Sequence, residues 1–321
     1  MRAYVLVEDR VQELTSVDAV AEALRAGQRM WVDLIERSEA IDRLLEKDFK
    51  LHPLVIEDIW SERSSPKIDA FDHYLYIVAH CLTHSSRPDN LDLWVLDLVL
   101  GERFVITQQR GRPPEVLRAL VERLPRLLGR GTHWVAHAIL DAIVDRFLPL
   151  VDQLGNRIER IDEDVLRDVR ALDPRMVRET LFALKRSVQK ICRITEHQRR
   201  ILDQLARAEF VFIPREAAPY FRDVADHFGH VAECAQTYRD DILNATDAYG
   251  SNQSNRLNES MKKLTLMSTC LLPMTLIASI YGMNFHLMPE LDWRYGYPFA
   301  LLLMAAIGIG VVTFFKRKGW F

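Results

Sequence analysis

"LTLMSTCLLPMTLIASIYGMNFHLMPELDWRYGYPFALLLMAAIGIGVVTFF", Leu264 to Phe315, decides how this chain is organised. No charged side chain occurs from Leu264 to Phe285, nor from Tyr295 to Phe315. Each run supplies about the ~20 residues that a helix needs to cross a ~30 Å hydrocarbon layer. A core helix of that length in a soluble protein normally keeps a polar stripe, so two membrane spans are predicted. Lys262 and Lys263 precede the first span, and Lys316, Arg317 and Lys318 follow the second. Lys and Arg collect on the cytoplasmic side of a span, which puts both chain ends there and makes "MNFHLMPELDWR" a short outward loop. Trp293, Tyr295 and Tyr297 suit an aromatic belt at the membrane surface. The beginning, "MRAYVLVEDRVQEL", lacks the apolar centre of a signal peptide, so the residues before the first span are expected in the cytoplasm.

Composition sets outer limits. The formal net charge of −3 argues against a nucleic-acid partner, which calls for a basic surface. Cys81, Cys192, Cys234 and Cys270 are far apart and form no CxxC pair, which fits reduced thiols in a reducing compartment. No GxxxxGK[ST] loop and no Ser–His–Asp or Cys–His set is present, so an enzyme is not expected.

Upstream of the hairpin the pattern changes twice. "AYVLVE", "RMWVDLI", "YLYIVAHCL", "LDLWVLDLVL" and "RFVITQQ" are rich in β-branched and aromatic residues and read as strands. "TSVDAVAEALRAG" reads as a helix with a capping box from Thr15 to Asp18 and a stop at Gly27. "SEAIDRLLEKDF" and "PLVIEDIWSE" read as helices as well. Residues 1–131 are therefore expected to form an α/β domain. Residues 132–263 read as helical stalk, and 264–321 as the membrane hairpin with its basic end. Thr132 can cap a long helix that Pro149 kinks or interrupts, and Asp173–Pro174 is an N-cap followed by proline at the first helical position. Between about Pro219 and Gly282 only Pro273 interrupts, so one helix on the order of 100 Å long carries the first span at its end.

Two helices cannot enclose a water-filled path, so conduction needs several copies around an axis. At helical steps lie Asn258, Met261, Leu264 with Thr265, Ser268, Leu272, Thr275 and Ser279. Hydroxyls on such a line can hydrogen-bond a hydration shell, and bulky apolar groups can close a pore by dewetting. Small and hydroxyl residues also glue membrane helices together, so the line suits packing too. Ala306 and Gly310 read as a small-residue packing pair in the second span.

Gly282-Met283-Asn284 at the end of the penultimate span, followed by "MPEL" and a last span with a basic end, resembles the CorA magnesium transporter family. "LHPLVIEDIWSERSSPKIDAFDHYLYIVAH" (Leu51 to His80) is similar to that family's cytoplasmic domain, and "PYFRDVADH" (Pro219 to His227) to the start of its stalk. The resemblance implies a homopentamer in a bacterial inner membrane, with a cytoplasmic funnel, a pore lined by stalk and first span, and the second span outside. It implies import of Mg²⁺, with Co²⁺ or Ni²⁺ tolerated, and no organic cofactor. His286 departs from the carboxylate expected after Asn284-Phe285 and leaves room for a softer metal.

Mg²⁺ dehydrates reluctantly and demands octahedral oxygen geometry. A ring of Asn284 amide oxygens can accept hydrogen bonds from its bound waters while holding it weakly enough for release. Gly282 is expected to supply the backbone freedom that ends the helix, and Glu290 and Asp292 to concentrate cations at the mouth. A plain C-cap is the other reading of Asn284. Asp223, Asp226, His227 and His230 share one helix face. In the family an aspartate matching Asp223 pairs across subunits with an acidic loop to hold regulatory Mg²⁺, and Asp89 or Asp92 is the partner here. A solvated polar stripe is the alternative. His133 and His137, with no third ligand, read as surface or packing residues rather than zinc ligands. Two other functions stay open: a Zn²⁺, Co²⁺ or Ni²⁺ transporter of the ZntB type, and a scaffold or sensor merely anchored by the hairpin.

Overall fold

The computed structural model describes residues 1–61, 65–83, 85–109, 115–166, 173–207, 209–283 and 293–319. By contacts the chain divides into two compact units, Met1–Thr246 and Asp247–Phe321.

The first unit is built on a seven-stranded sheet in the order β2-β1-β3-β7-β6-β5-β4. Its strands are β1 (Arg2–Val7), β2 (Arg10–Leu14), β3 (Met30–Leu34), β4 (Lys67–Ala70), β5 (Tyr74–Leu82), β6 (Leu93–Gly101) and β7 (Phe104–Gln109). β3 and β7 pair in parallel, with Val32 opposite Ile106. The other neighbouring pairs are antiparallel. Every residue of β7 and all but His80 of β5 are buried. Strands covered on both faces read as continuous apolar runs rather than as an alternation, which is why "YLYIVAHCL" stands out in the sequence. One face is covered by α1 (Val17–Arg25), α2 (Glu39–Arg43) with the π turn that continues it (Leu44–Asp48), and α3 (Pro53–Trp60). These contribute Val20, Ala21, Leu44, Leu45, Phe49, Val55 and Ile59 to one core with Tyr76, Val78, Val99 and Ile106.

α4 (Glu115–Arg130) and α5 (Thr132–Leu166) follow the sheet. Thr132 does not cap α5: its hydroxyl donates to the carbonyls of Gly101 (2.7 Å) and Glu102 (3.1 Å) and ties the helix start to the β6–β7 turn. α5 runs through Pro149 as one element. Asp173 caps α6 (Pro174–Ala206) as expected, accepting from the Arg175 N–H at 2.9 Å. At α1 the cap is Ser16 rather than Thr15, with no side-chain hydrogen bond, so the capping box does not form. Gly27, at φ +75°, does end that helix region in the left-handed conformation glycine favours.

The long helix α7 (Ala218–Tyr281) begins in the first unit and ends in the second. Within the first unit it lies against α5 through paired rings. Trp134 meets Tyr220 edge-on with centroids 4.7 Å apart, and Phe147 meets Phe228 at 5.3 Å. His137 presents its edge to Phe221 at 5.5 Å, and Trp134 carries the Arg130 guanidinium 3.5 Å above its ring. The two histidines flanking Trp134 thus pack rather than chelate; burial pushes both below their usual 6.5. α8 (Gly296–Arg317) completes the second unit. Trp293 lies against Tyr295 and Phe299 just before and within its first turn, with all three rings exposed.

Candidate functional site: one face of the hairpin and the acidic edge of the first unit

In the second unit, the apolar windows of α7 and α8 are long enough to cross a membrane, and none of the α7 window is buried within the chain. From Leu264 to Tyr281 only a narrow strip of α7 is even half-covered: Leu266, Thr269, Cys270, Pro273, Met274, Ile277 and Tyr281. Its counterpart on α8 is Gly296, Ala300, Met304, Ile307, Gly308, Val311 and Phe315. Gly308 is the close approach, since a Cβ there would stand 2.6 Å from the Met274 Cε. Gly310 has nothing within 4 Å and Ala306 is exposed, so this pair faces away from α7 and the packing glycine is Gly308.

Asn258, Met261, Leu264, Thr265, Ser268, Leu272, Thr275 and Ser279 are all exposed. At about 100° per residue this line lies about 180° around α7 from the strip that α8 covers. The sequence line is therefore the face that one chain leaves open. Thr275 donates its hydroxyl to the Leu271 carbonyl at 2.8 Å. Its one donor is thereby used inside the helix, and its oxygen lone pairs remain for a donor such as water. Toward the start of the span, Asn258, Met261 and Thr265 share a groove with Asn255, Glu259 and Lys262. Asn255, one turn before Asn258, is a second amide that the sequence line did not include.

α7 ends at Tyr281, where the Gly282 N–H donates to Ala278 (3.0 Å) and the Met283 N–H to Ile280 (3.2 Å). The helix ends directly before Gly282, as expected, and does so without a left-handed φ at that glycine. A Cβ at Gly282 would instead crowd the Ala278 carbonyl at 3.2 Å. Asn284, His286, Glu290 and Asp292 lie outside the described residues.

Asp223, Asp226, His227 and His230 are exposed on one face of α7, with His227 Nε2 3.9 Å from Asp223 Oδ1. Across from them α5 carries Asp141 and Asp145. The Asp141 carboxyl is raised above the usual carboxylate value, first by burial, then by the charges of Asp145 and Asp223, against the opposing pull of His137 and His227. Asp145 and Asp223 thus act on Asp141 from two different helices, which sequence spacing could not reveal.

Asp89 sits elsewhere, in the β5–β6 loop. Its Oδ1 is 3.9 Å from Arg157 Nε. Arg87, Asp89, Arg157 and Arg160, with Gln153 and Asn156, line an open cleft of about 560 Å³. Asp92 accepts from the Thr83 and Ser85 hydroxyls, each at 3.2 Å. Among the described residues no group of three or more His, Cys, Asp or Glu is placed to hold a metal ion. A single chain thus does not bring Asp89 to Asp223, Asp226 and His227.

Comparison with known proteins follows this geometry closely. Residues 27–317 match the model of a family described as CorA-like Mg²⁺ transporter protein. The "Cobalt/magnesium transport protein CorA" of Thermotoga maritima is 32% identical over 326 residues, covering 99% of this chain and 90% of its own. The "Putative metal ion transporter YfjQ" of Bacillus subtilis is 35% identical over 91% of this chain and 89% of its own. The complete structure of the CorA magnesium transporter from Methanocaldococcus jannaschii superposes with a TM-score of 0.80 at 18% identity, covering 100% of this chain and 98% of that one.

Proposed function

This chain belongs to the CorA-like Mg²⁺ transporter family, a family of membrane metal-ion transporters and not of enzymes, and from that premise we propose that it is a homopentameric, channel-like importer of hydrated Mg²⁺ that also accepts Co²⁺ or Ni²⁺. The observation that carries the reading is the open face of α7. All eight residues of the line from Asn258 to Ser279 stay exposed, on the side away from α8. Repeated around an axis, that face supplies water-compatible oxygens alternating with Met261, Leu264 and Leu272 as apolar constrictions.

The substrate's chemistry fits this lining. Hydrated Mg²⁺ presents water hydrogens, which amide and hydroxyl oxygens accept without stripping the shell. The Asn284 amides form the outer ring, with Gly282 and Met283 joining it to α7, and Glu290 and Asp292 enrich cations before it. A divalent ion moving inward gains roughly 4.6 kcal/mol per 100 mV, twice the single-charge value, so no nucleotide is needed. The membrane is the bacterial inner membrane, with both termini on the cytoplasmic side where Lys262, Lys263 and the Lys316–Lys318 cluster lie. Cytoplasmic Mg²⁺ closes the pore by bridging Asp223, Asp226 and His227 of one copy to the Asp89 or Asp92 loop of the next.

Uptake by purified protein in vesicles, with Mg²⁺, Co²⁺ and Zn²⁺ compared under an imposed inside-negative potential, tests the reading. Potential-driven Mg²⁺ entry that Co²⁺ competes with is the expected result. Zn²⁺ entry with no Mg²⁺ entry would replace it with the ZntB-type alternative, and no entry of any of the three would leave a membrane anchor.

A further inference from the structure

The outer end of the hairpin holds a cavity of about 460 Å³ between the end of α7 and the first turns of α8. Gly296 and Ala300 are the buried residues of α8, and neither has a side chain large enough to fill the gap. Trp293, Arg294 and Tyr297 line the cavity near the start of α8, with Tyr281 on the α7 side. Leu301 and Met304 line it further along α8. Its lining is thus apolar and aromatic, with one charged group at the end nearest the membrane surface.

Arg294 is the one Lys or Arg between Lys263 and Lys316. Basic residues otherwise collect at the opposite ends of both spans, so this guanidinium stands alone at the headgroup level of the outer leaflet. From Gly296 to Met304 the cavity follows α8 for about 12 Å, at about 1.5 Å per residue. Half of a ~30 Å hydrocarbon layer is about 15 Å, so the apolar lining runs to roughly the depth of one leaflet. A free anion would use the mouth and leave that depth empty, whereas an acyl chain would occupy it. Tyr297 and Leu301 are exposed, which makes the cavity continuous with the outer surface of α8. A guanidinium grips phosphate oxygens through two parallel N–H donors, and the phenols of Tyr281 and Tyr297 can add further donors.

We propose that this cavity seats one anionic phospholipid, with its phosphate on Arg294 and one acyl chain along Ala300, Leu301 and Met304. A zwitterionic lipid carries its own cation beside the phosphate, so a lone guanidinium selects the headgroup with net negative charge. The seated chain fills the gap that Gly296 and Ala300 leave between the helix ends. The inference rests on the membrane placement of α7 and α8, not on which ion the protein passes.

Trp293 lines the cavity and can report its occupant. Trp320→Phe leaves it as the one tryptophan of residues 264–321, while Trp31, Trp60, Trp94 and Trp134 lie in the first unit and give a constant background. Full-length protein with that substitution is reconstituted in phosphatidylcholine vesicles. Phosphatidylglycerol or phosphatidylcholine with brominated chains is titrated in, and quenching of Trp293 emission gives their relative binding. Phosphatidylglycerol is expected to bind about five-fold more strongly, the worth of one basic side chain at an anionic surface. Arg294→Gln should bring the ratio to about one, and Arg294→Lys, which keeps the charge, should retain most of it. Added inorganic phosphate should leave the ratio unchanged. Equal binding of the two lipids in the parent chain overturns the proposal, and is expected if a second copy fills the cavity or if Arg294 pairs with Glu290 or Asp292. A preference that survives Arg294→Gln, or one that inorganic phosphate removes, overturns it as well. Mg²⁺ uptake by the same vesicles separates the two readings: uptake with equal lipid binding leaves transport standing and removes the lipid site, and a lipid preference without uptake does the reverse.

Discussion

The two compact units treat apolar side chains in opposite ways. In Met1–Thr246 the chain buries its own: Leu75, Ile77, Val78, Leu96, Leu98, Leu100 and Val105 are each 0% exposed. In Asp247–Phe321, Leu272 is 70% exposed, and Leu264, Met267 and Leu276 are nearly as open. The first unit closes a core within one chain. The second leaves large apolar side chains of both α7 and α8 exposed. On the function proposed above, the difference separates two roles: packing shapes the first unit, and what passes the open face of α7 shapes the second.

Substitutions can break or sharpen that contrast. The largest effect is expected from Asn284→Ala, which should abolish cation uptake while leaving the thermal unfolding of the first unit unchanged. An anchor without a pore would show no change in either. Next comes a crossed pair. Ile77→Ala should destabilise the first unit by about 2–5 kcal/mol through transfer loss and a cavity, measured by denaturant unfolding. Leu272→Ala should shift that unfolding by no more than about 0.5 kcal/mol, yet raise uptake at closing Mg²⁺ concentrations by widening an apolar constriction. A smaller contrast lies inside the hairpin. Gly308→Leu drives a side chain into Met274 and should cost about 1–3 kcal/mol of hairpin stability, whereas Gly310→Leu points into open space and should be nearly silent. Detergent-resistance melts of the assembled protein distinguish the two.

The smallest effect is a pH dependence of the first unit. Burial holds His133 and His137 below their usual 6.5 in the folded chain. The unfolded chain therefore binds those protons first, and the stability held above the usual value is lost as pH falls through the folded values. Asp141 runs the other way: its raised carboxyl contributes stability only at low pH, lost as pH rises through its folded value. Melting of the first unit should drop between pH 7.5 and the acid side of about 6.5, and His137→Asn should remove part of that drop. An unchanged slope in the variant would assign the drop to other groups.

Much of this architecture was legible in the sequence for identifiable physical reasons. β3, β5, β6 and β7 declared themselves because strands buried on both faces need unbroken apolar runs. α7 declared itself through a long absence of proline, and its open face through helical spacing from Asn258 to Ser279. The missed elements had weaker signals. β2, "RVQEL", and β4, "KIDA", are short edge strands in which no side chain is fully buried and no apolar run is required. α4 escaped notice beside Pro125. Thr15 met the pattern of a capping box, but the backbone turned one residue later, at Ser16. The arginine cleft was illegible because Arg87 is remote in sequence from Arg157 and Arg160, and only the packing of the β5–β6 loop against α5 joins them.

The central claim is that the face of α7 turned away from α8 borders water in the assembled protein. Cysteine accessibility measures it directly, in a background with Cys81, Cys192, Cys234 and Cys270 replaced by Ser. Ser268→Cys and Ser279→Cys should react with a charged, membrane-impermeant thiosulfonate and lose uptake when they do, while Ile277→Cys, on the strip beneath α8, should stay unmodified. Inert thiols at 268 and 279, with labelling at 277 instead, would place the water path on the other side of the helix and contradict the account.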